Sequence, residues 1–208
     1  MNNILIKVEN LVKTFGGLVA LNDCSLEIKD KAITGIIGPN GSGKTTLFNV
    51  ITGNLKPDTG KVFYNGVEIT NEESHDLFHL GVLRTFQIAH EFSNMTVIEN
   101  LMVVPGNQKG ERLLYSLMNS QKIKKEDELI KDKAMEVLKF LKIEHLKNER
   151  AGNLSGGQKK LLELARTMMV DAKIVFLDEV GAGVNKTLLR DISDSILKLN
   201  QDKGYTFC

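Results

Sequence analysis

The segment Gly38-Pro39-Asn40-Gly41-Ser42-Gly43-Lys44-Thr45-Thr46 has the glycine, lysine and hydroxyl spacing of a phosphate-binding (Walker A) loop. Its glycines let the backbone fold so that successive N–H groups face phosphate oxygens. A helix opening near Lys44 adds the positive end of its dipole. Lys44 is placed to reach the outer phosphates of a nucleotide, and the Thr45 hydroxyl to bind Mg²⁺. Further along, Ile174-Val175-Phe176-Leu177 is a short apolar run that ends in Asp178. A buried strand of this kind leaves its carboxylate at the C-terminal end, where ligands bind in α/β sheets. Asp178 would hold Mg²⁺ through water. Glu179, the next residue, would polarise an attacking water as general base.

A second anion site is written in Leu154-Ser155-Gly156-Gly157-Gln158. Ser155 is an N-cap residue, and the two glycines expose the first N–H groups of the following helix. One chain folds around one phosphate-binding loop, so a second phosphate site makes most sense acting across a dimer.

The elements that must position these groups follow from hydropathy patterning. Residues 4–37 read as strands. Ile4, Ile6 and Val8 alternate, and so do Ala20, Cys24, Leu26 and Ile28, with Asn22 out of phase. Cys24 falls in that alternation as a small core residue. Ile33–Ile37 reads as a short apolar strand running into the glycine loop. The helix after the loop has Leu47, Val50 and Ile51 at helical spacing and Gly53 just past its end. Val62–Ile69 reads as a hairpin around Asn65-Gly66.

The pattern turns helical near residue 88. Ile130, Ala134, Val137, Leu138 and Leu141 share one helical face, and Lys124–Glu128 is its solvated start. From Ser155 a helix carries Leu161, Leu164, Ala165 and Met168 inward, with Met168 and Met169 as core filler. Residues 186–203 form a last helix. Strands alternating with helices indicate a mostly parallel sheet core. The expected organisation is one domain over 1–208, with an α/β core of 1–87 and 159–208, an antiparallel β part near the N-terminus, and a helical subdomain inserted over 88–158.

Composition sets the outer limits. The chain has 208 residues, 42% hydrophobic and 25% charged, with a net charge of +1. This is ordinary globular composition and gives no support for nucleic-acid binding through bulk charge. Its two cysteines, Cys24 and Cys208, are in no metal-ligand spacing, which fits a reducing compartment. No apolar run approaches the ~20 residues that span a bilayer. The N-terminus meets charge too early for a signal peptide. These features imply a soluble chain that works at a membrane only through a partner.

The phosphate loop, Leu-Ser-Gly-Gly-Gln and the apolar run ending in Asp178-Glu179 resemble, in order and spacing, the nucleotide-binding subunits of ABC transporters. The resemblance covers the whole chain. It implies an ABC-type P-loop NTPase fold, ATP and Mg²⁺ as cofactors, and hydrolysis of ATP to ADP and phosphate. It implies a homodimer or a heterodimer with a related ATPase subunit. The dimer would sit on the cytoplasmic face of the cell membrane, held there by transmembrane permease subunits and served indirectly by a solute-binding protein. Residue by residue, Phe15 matches an aromatic that stacks on adenine. Gln87, in Arg84-Thr85-Phe86-Gln87, matches a glutamine that senses γ-phosphate and Mg²⁺. Ser155, Gly156, Gly157 and Gln158 match the signature that covers the opposite subunit's γ-phosphate.

Three strings, Arg84–Gln87, Met95-Thr96-Val97-Ile98-Glu99-Asn100-Leu101 and Lys160–Arg166, are similar to the branched-chain amino-acid importer ATPases. So is Gly181-Ala182-Gly183-Val184-Asn185. They sit away from any solute path and point to lineage. The family usually has Pro where this chain has Val180, and Asp where it has Asn185. A switch histidine that the family places after the last helix has no counterpart, because His75, His79, His90 and His145 all precede Asp178 and read as surface residues. The expectation is a chain truncated within a strand at Tyr205–Cys208. The alternative reading is a nucleotide-binding module with little turnover.

Overall fold

A computed structural model of the chain describes residues 3–85, 91–106, 108, 120–170, 172–178 and 184–208. Among these the chain forms two compact units. One comprises Met1–Thr85, Ala172–Asp178 and Ile196–Cys208, and the other comprises Phe86–Asp171 and Glu179–Ser195.

The first unit opens on two long strands, β1 (Ile4–Phe15) and β2 (Leu18–Lys29). They pair antiparallel and are joined on the other side of β1 by β3 (Thr59–Tyr64) and then β4 (Val67–Glu68), in the order β2-β1-β3-β4. Asn65 and Gly66 both have positive φ, 48° and 78°, the type I′ geometry that the Asn-Gly pair predicts. The phase break at Asn22 has a physical cause. The β1–β2 register shifts between Leu11↔Cys24 and Lys13↔Leu21, so Leu21 turns inward at 5% exposure while Asn22 stays out. Asp23 and Asn10 both adopt positive φ at this irregularity, and the Asn10 amide donates to Asp23 Oδ1 at 2.6 Å. Cys24 is half-buried and packs against the core, and burial raises its thiol pKa.

Helix α1 (Lys44–Ile51) follows the glycine loop and buries Leu47, Phe48, Val50 and Ile51. It ends as predicted. Gly53 takes φ 70°, its N–H donates to Val50, and the Asn54 N–H reaches back to Asn49, the paired bonds of a Schellman stop. A short helix, α2 (Ser74–His79), precedes β5 (Val82–Arg84). Strands β5, β6 (Ile174–Phe176) and β7 (Thr206–Phe207) form a parallel sheet in that order. All three residues of β6 are fully buried. The fold is therefore α/β with an antiparallel and a parallel sheet. Among the described residues the antiparallel sheet has more strands.

Residues 33–37 do not form the expected strand. Ile33 makes a single parallel bridge to Phe207, and Ile37 is 97% exposed. The reason is the shortage of ladder partners. Of residues 32–37, β7 bonds only Ala32 and Thr34, through Phe207 N–H to the Ala32 carbonyl and Thr34 N–H to the Phe207 carbonyl.

The second unit contains α3 (Val97–Met102), α4 (Ser120–Phe140) and α5 (Gly156–Met168), packed on one another. Ala134, Val137, Leu138 and Leu141 are buried, whereas Ile130 is only half-buried. Leu161, Leu162, Leu164, Ala165, Met168 and Met169 supply the other side of the core. α5 lies wholly in this unit, although the sequence pattern divided it after residue 158. Its apolar face packs on α3 and α4, and cutting the helix would expose that face. Of the last helix, α6 (Lys186–Lys203), residues up to Ser195 belong to this unit and Ile196 onward to the first. No helix among the described residues is long and apolar enough to cross a membrane.

The string 95–101 now has a structural explanation. Thr96 caps α3 in a reciprocal box with Glu99. Asn100 is fully buried, accepts from the Phe92 N–H at 2.8 Å and donates to the Thr96 carbonyl at 2.9 Å.

Two predictions follow from the sheet. Gly60 has φ 94°, and a Cβ there would lie 2.5 Å from the Asn10 carbonyl oxygen and 2.6 Å from that of Glu9. Both obstacles are backbone, so Gly60→Ala is expected to destabilise the chain by roughly 2–4 kcal/mol in a denaturant titration. Asp58 accepts from Lys13 Nζ at 2.8 Å and from the Thr14 hydroxyl and N–H at 2.7 and 2.6 Å. These bonds, Lys13's first, pull its carboxyl from 3.8 to about 2. A folded value below the unfolded one adds stability above pH 3.8 that is lost as pH falls toward 2. Asp58→Asn is expected to flatten that part of the stability-against-pH curve. An unchanged curve would show that the three bonds do not persist in solution.

Candidate functional site

The glycine loop is shaped as a cradle. Gly41 and Gly43 have φ of 81° and 87°, a left-handed backbone that ordinary residues resist. At Gly43 a Cβ would also press to 2.4 Å from the Ala20 carbonyl oxygen, and at Gly38 to 2.6 Å from Ser42 Oγ. Lys44 folds back over the loop, its ammonium donating to the carbonyls of Gly38 and Pro39 at 2.8 Å each. The loop therefore holds a cation at its centre. No side chain caps the start of α1, which leaves its first N–H groups open to an anion. Pro39, Asn40, Gly41, Ser42 and Thr45 are exposed, and Thr46 is half-buried. These features fit a nucleotide polyphosphate.

Asp178 stands two residues beyond β6 and is 4% exposed. One of its oxygens, Oδ2, accepts from Arg84 Nη2 at 2.8 Å, and the two side chains are 5% and 7% exposed. Arg84 also donates through Nη1 to the Asn49 side-chain oxygen on α1. The other oxygen, Oδ1, receives no hydrogen bond from a described residue. A buried carboxylate with one open oxygen and an exposed Thr45 hydroxyl suit a water-rich Mg²⁺ site. The α1–β6 arrangement is fixed by Phe48 and Phe176, whose rings meet edge to face at 5.2 Å. The Asn49–Arg84–Asp178 link was missed in the sequence. Its one signal is that Asn49 lies four residues after Thr45, on the same face of α1.

Phe15 ends β1 and is 49% exposed, with Leu18 and Val19 also exposed beside the β1–β2 turn. Lys13 Nζ lies 5.8 Å from its ring centre. An exposed ring here is no core residue and is available for stacking. Asp58 fixes the backbone of Thr14 next to it.

In the second unit Ser155 caps α5. Its hydroxyl accepts from Gln158 N–H at 3.4 Å, and its own N–H donates to Gln158 Oε1 at 2.9 Å. Gln158 is thereby folded back onto the cap. Gly156 is exposed, but Gly157 is buried for a different reason from the one the sequence suggests. A Cβ there would lie 2.0 Å from Leu188 Cδ2 and 3.3 Å from Val184 Cγ1. Gly157 thus allows α6 to approach as well as leaving an amide bare. Asn185, standing where Asp is usual, accepts from Leu188 N–H at 2.9 Å and starts α6. His75, His79 and His145 are exposed, as expected. Gln87, His90, Glu179, Val180 and Gly181–Gly183 lie outside the described residues.

Residues 21–182 match the ABC transporter family. The probable branched-chain amino acid transport ATP-binding protein LivG of Methanocaldococcus jannaschii is 46% identical over 203 residues, covering 98% of this chain and 78% of that one. An ATP-binding cassette of an ABC transporter, crystallised in its ADP conformation, is 45% identical with a TM-score of 0.82, over 98% of this chain and 79% of that one. A dimeric bacterial ABC transporter cassette is 25% identical with a TM-score of 0.77, over 98% of this chain and 87% of that one. The matched span holds the phosphate loop, the signature and Asp178. The chain belongs to the family of ABC transporter ATP-binding subunits.

Proposed function

We propose that this chain is the ATP-hydrolysing subunit of an importer for branched-chain amino acids. The observation that carries the catalytic part is the Lys44 ammonium, held over the left-handed Gly41–Gly43 backbone at the uncapped start of α1. The amino-acid part is supported by the similarity to the probable branched-chain amino acid transport ATP-binding protein LivG of Methanocaldococcus jannaschii.

On this reading the adenine stacks on Phe15 and the polyphosphate follows the 38–46 loop. Lys44 exchanges the carbonyls of Gly38 and Pro39 for phosphate oxygens. Thr45, Asp178 and Gln87 would hold Mg²⁺, which offsets charge on the transferring phosphoryl group. Glu179 orients a water for in-line attack on the γ-phosphorus and accepts its proton. The bond to the bridging oxygen breaks, leaving ADP and phosphate. The loop N–H groups and Lys44 stabilise the charge that builds on the equatorial oxygens.

The exposed Ser155 and Gly156 at the start of a 13-residue helix suit a second copy's γ-phosphate. A dimer closing around two nucleotides completes each site with the partner's Ser155–Gln158. Gln87 would pass that closure to transmembrane permease subunits, which hold the chain at the inner membrane face. The helical subdomain read over 88–158 is the part that moves.

Lys44→Ala is expected to weaken ATP binding by roughly 10–100-fold, the worth of a charged hydrogen bond. Equal affinity in a calorimetric titration would remove Lys44 from the site. Ser155→Arg is expected to leave ATP binding to the monomer unchanged and to abolish closure. A mixed dimer with one altered subunit should then lose one site and keep the other. Collapse of monomer affinity would place Ser155 in the same-chain site instead.

A further inference from the structure

Arg84 is a buried cation with two partners on two elements of the first unit. Its Nη2 binds Asp178 beyond β6, and its Nη1 binds Asn49 on α1. Its Nε–H is buried with no hydrogen-bond partner. A residue kept only for packing would avoid that orphaned donor, and an apolar side chain of similar length would fill the space without it. What the guanidinium supplies and an apolar chain does not is a rigid fork that spans two acceptors.

The two acceptors are not arbitrary. Asn49 is one helical turn after Thr45, and positions four apart share a helix face. Asp178 is the carboxylate at the end of β6. Arg84 thus links the helix face that carries one candidate metal ligand, Thr45, to the side chain of another, Asp178. It engages Oδ2 alone, so Oδ1 is left as the acceptor.

Resting on the nucleotide-binding reading above, we propose that Arg84 is a positioning residue for the metal. It sets the separation of Thr45 and Asp178 through Asn49, and orients the Asp178 carboxylate so that Oδ1 faces the metal's water shell. Its own hydrogen bonds go to Asn49 and Asp178. It acts through Asp178, as partners outside a metal's ligand set do.

The test uses the full 208-residue chain with ADP and Mn²⁺ as the probes. Mn²⁺ binding to the ADP-loaded chain is read by electron paramagnetic resonance, and ADP affinity is measured separately with the metal chelated. Arg84→Met is expected to raise the Mn²⁺ concentration for half-saturation by roughly 10–100-fold, and to change metal-free ADP affinity by less than about threefold. Arg84→Lys keeps the charge but not the fork, and is expected to fall between parent and Arg84→Met. Asn49→Ala should weaken Mn²⁺ binding less than Arg84→Met, and should add nothing further in an Arg84→Met background. A folded Arg84→Met chain with parental Mn²⁺ binding would overturn the proposal. So would an Asn49→Ala effect that persists undiminished without Arg84. If Arg84→Met does not fold, Asn49→Ala alone decides, and parental Mn²⁺ binding in that variant overturns the proposal. Failure of the parent to bind metal-free ADP would instead overturn the nucleotide-binding reading, which the chelated arm reports independently.

Discussion

The placement of the candidate site in the first unit depends on one packing contact, that of α1 against β6. Phe48 and Phe176 meet edge to face, and each ring is 5% exposed or less. Burying two such side chains contributes roughly 1.5–3 kcal/mol each, with a smaller gain from the ring geometry. The contact matters because of what lies at its ends. The helix begins at Lys44, directly after the glycine loop, and the strand ends two residues before Asp178. A cation-bearing loop and a carboxylate far apart in sequence are therefore attached to the same rigid joint. Sites built on packed elements hold their geometry better than sites built on loops alone. Here the loop itself is short, and the end that enters α1 is anchored. Gly43 lies tight against the Ala20 carbonyl of β2, and Leu47 N–H returns to the Gly43 carbonyl at 2.8 Å.

Much of this was legible in the residues. The Asn65-Gly66 hairpin, the Gly53 stop of α1, the buried β6 and the bounds of α6 all follow from local rules that tertiary context does not override. Turn and cap chemistry is set by φ requirements within a few residues. The failures have a common cause. Residues 33–37 have the composition of a buried strand, but a strand exists only where a neighbour offers ladder bonds, and β7 offers them at Ala32 and Thr34 alone. Likewise the division of α5 at residue 158 followed the motif, whereas the helix follows its apolar face onto α3 and α4. Pairing and packing are non-local, and a single sequence states them only indirectly.

The candidate site shows the same division. Lys44, Thr45 and Asp178 could be named from spacing because each sits at a fixed offset within a motif. Arg84 could not, since its importance comes from two partners, Asn49 and Asp178, that no motif links to it. The string 95–101 marked lineage, and its physical content is a reciprocal cap by Thr96 and Glu99 and a buried Asn100 that binds the backbone of Phe92 and Thr96. A buried amide with every contact satisfied tolerates few replacements, because a substitute leaves backbone groups unpaired. The physical content of this string is therefore local folding chemistry.

Among the glycines, one residue letter hides different constraints. At Gly43 two demands coincide: φ is 87°, and β2's backbone occupies the space where a Cβ would stand. Gly157 has no positive φ, and its constraint is the side chain of Leu188 across the helix pair. A flexible leucine terminus can yield where a carbonyl cannot, so the two glycines differ in what a substitution would cost. In the signature Ser155-Gly156-Gly157-Gln158, only Gly156 is both exposed and free of neighbours within 4 Å of a Cβ. The motif therefore joins a capping serine, a glycine open to a ligand and a glycine that seats α6 beside α5. Reading it solely as an anion site accounts for Ser155 and Gly156, whereas Gly157 is explained by packing inside the same unit and Gln158 by the cap it completes.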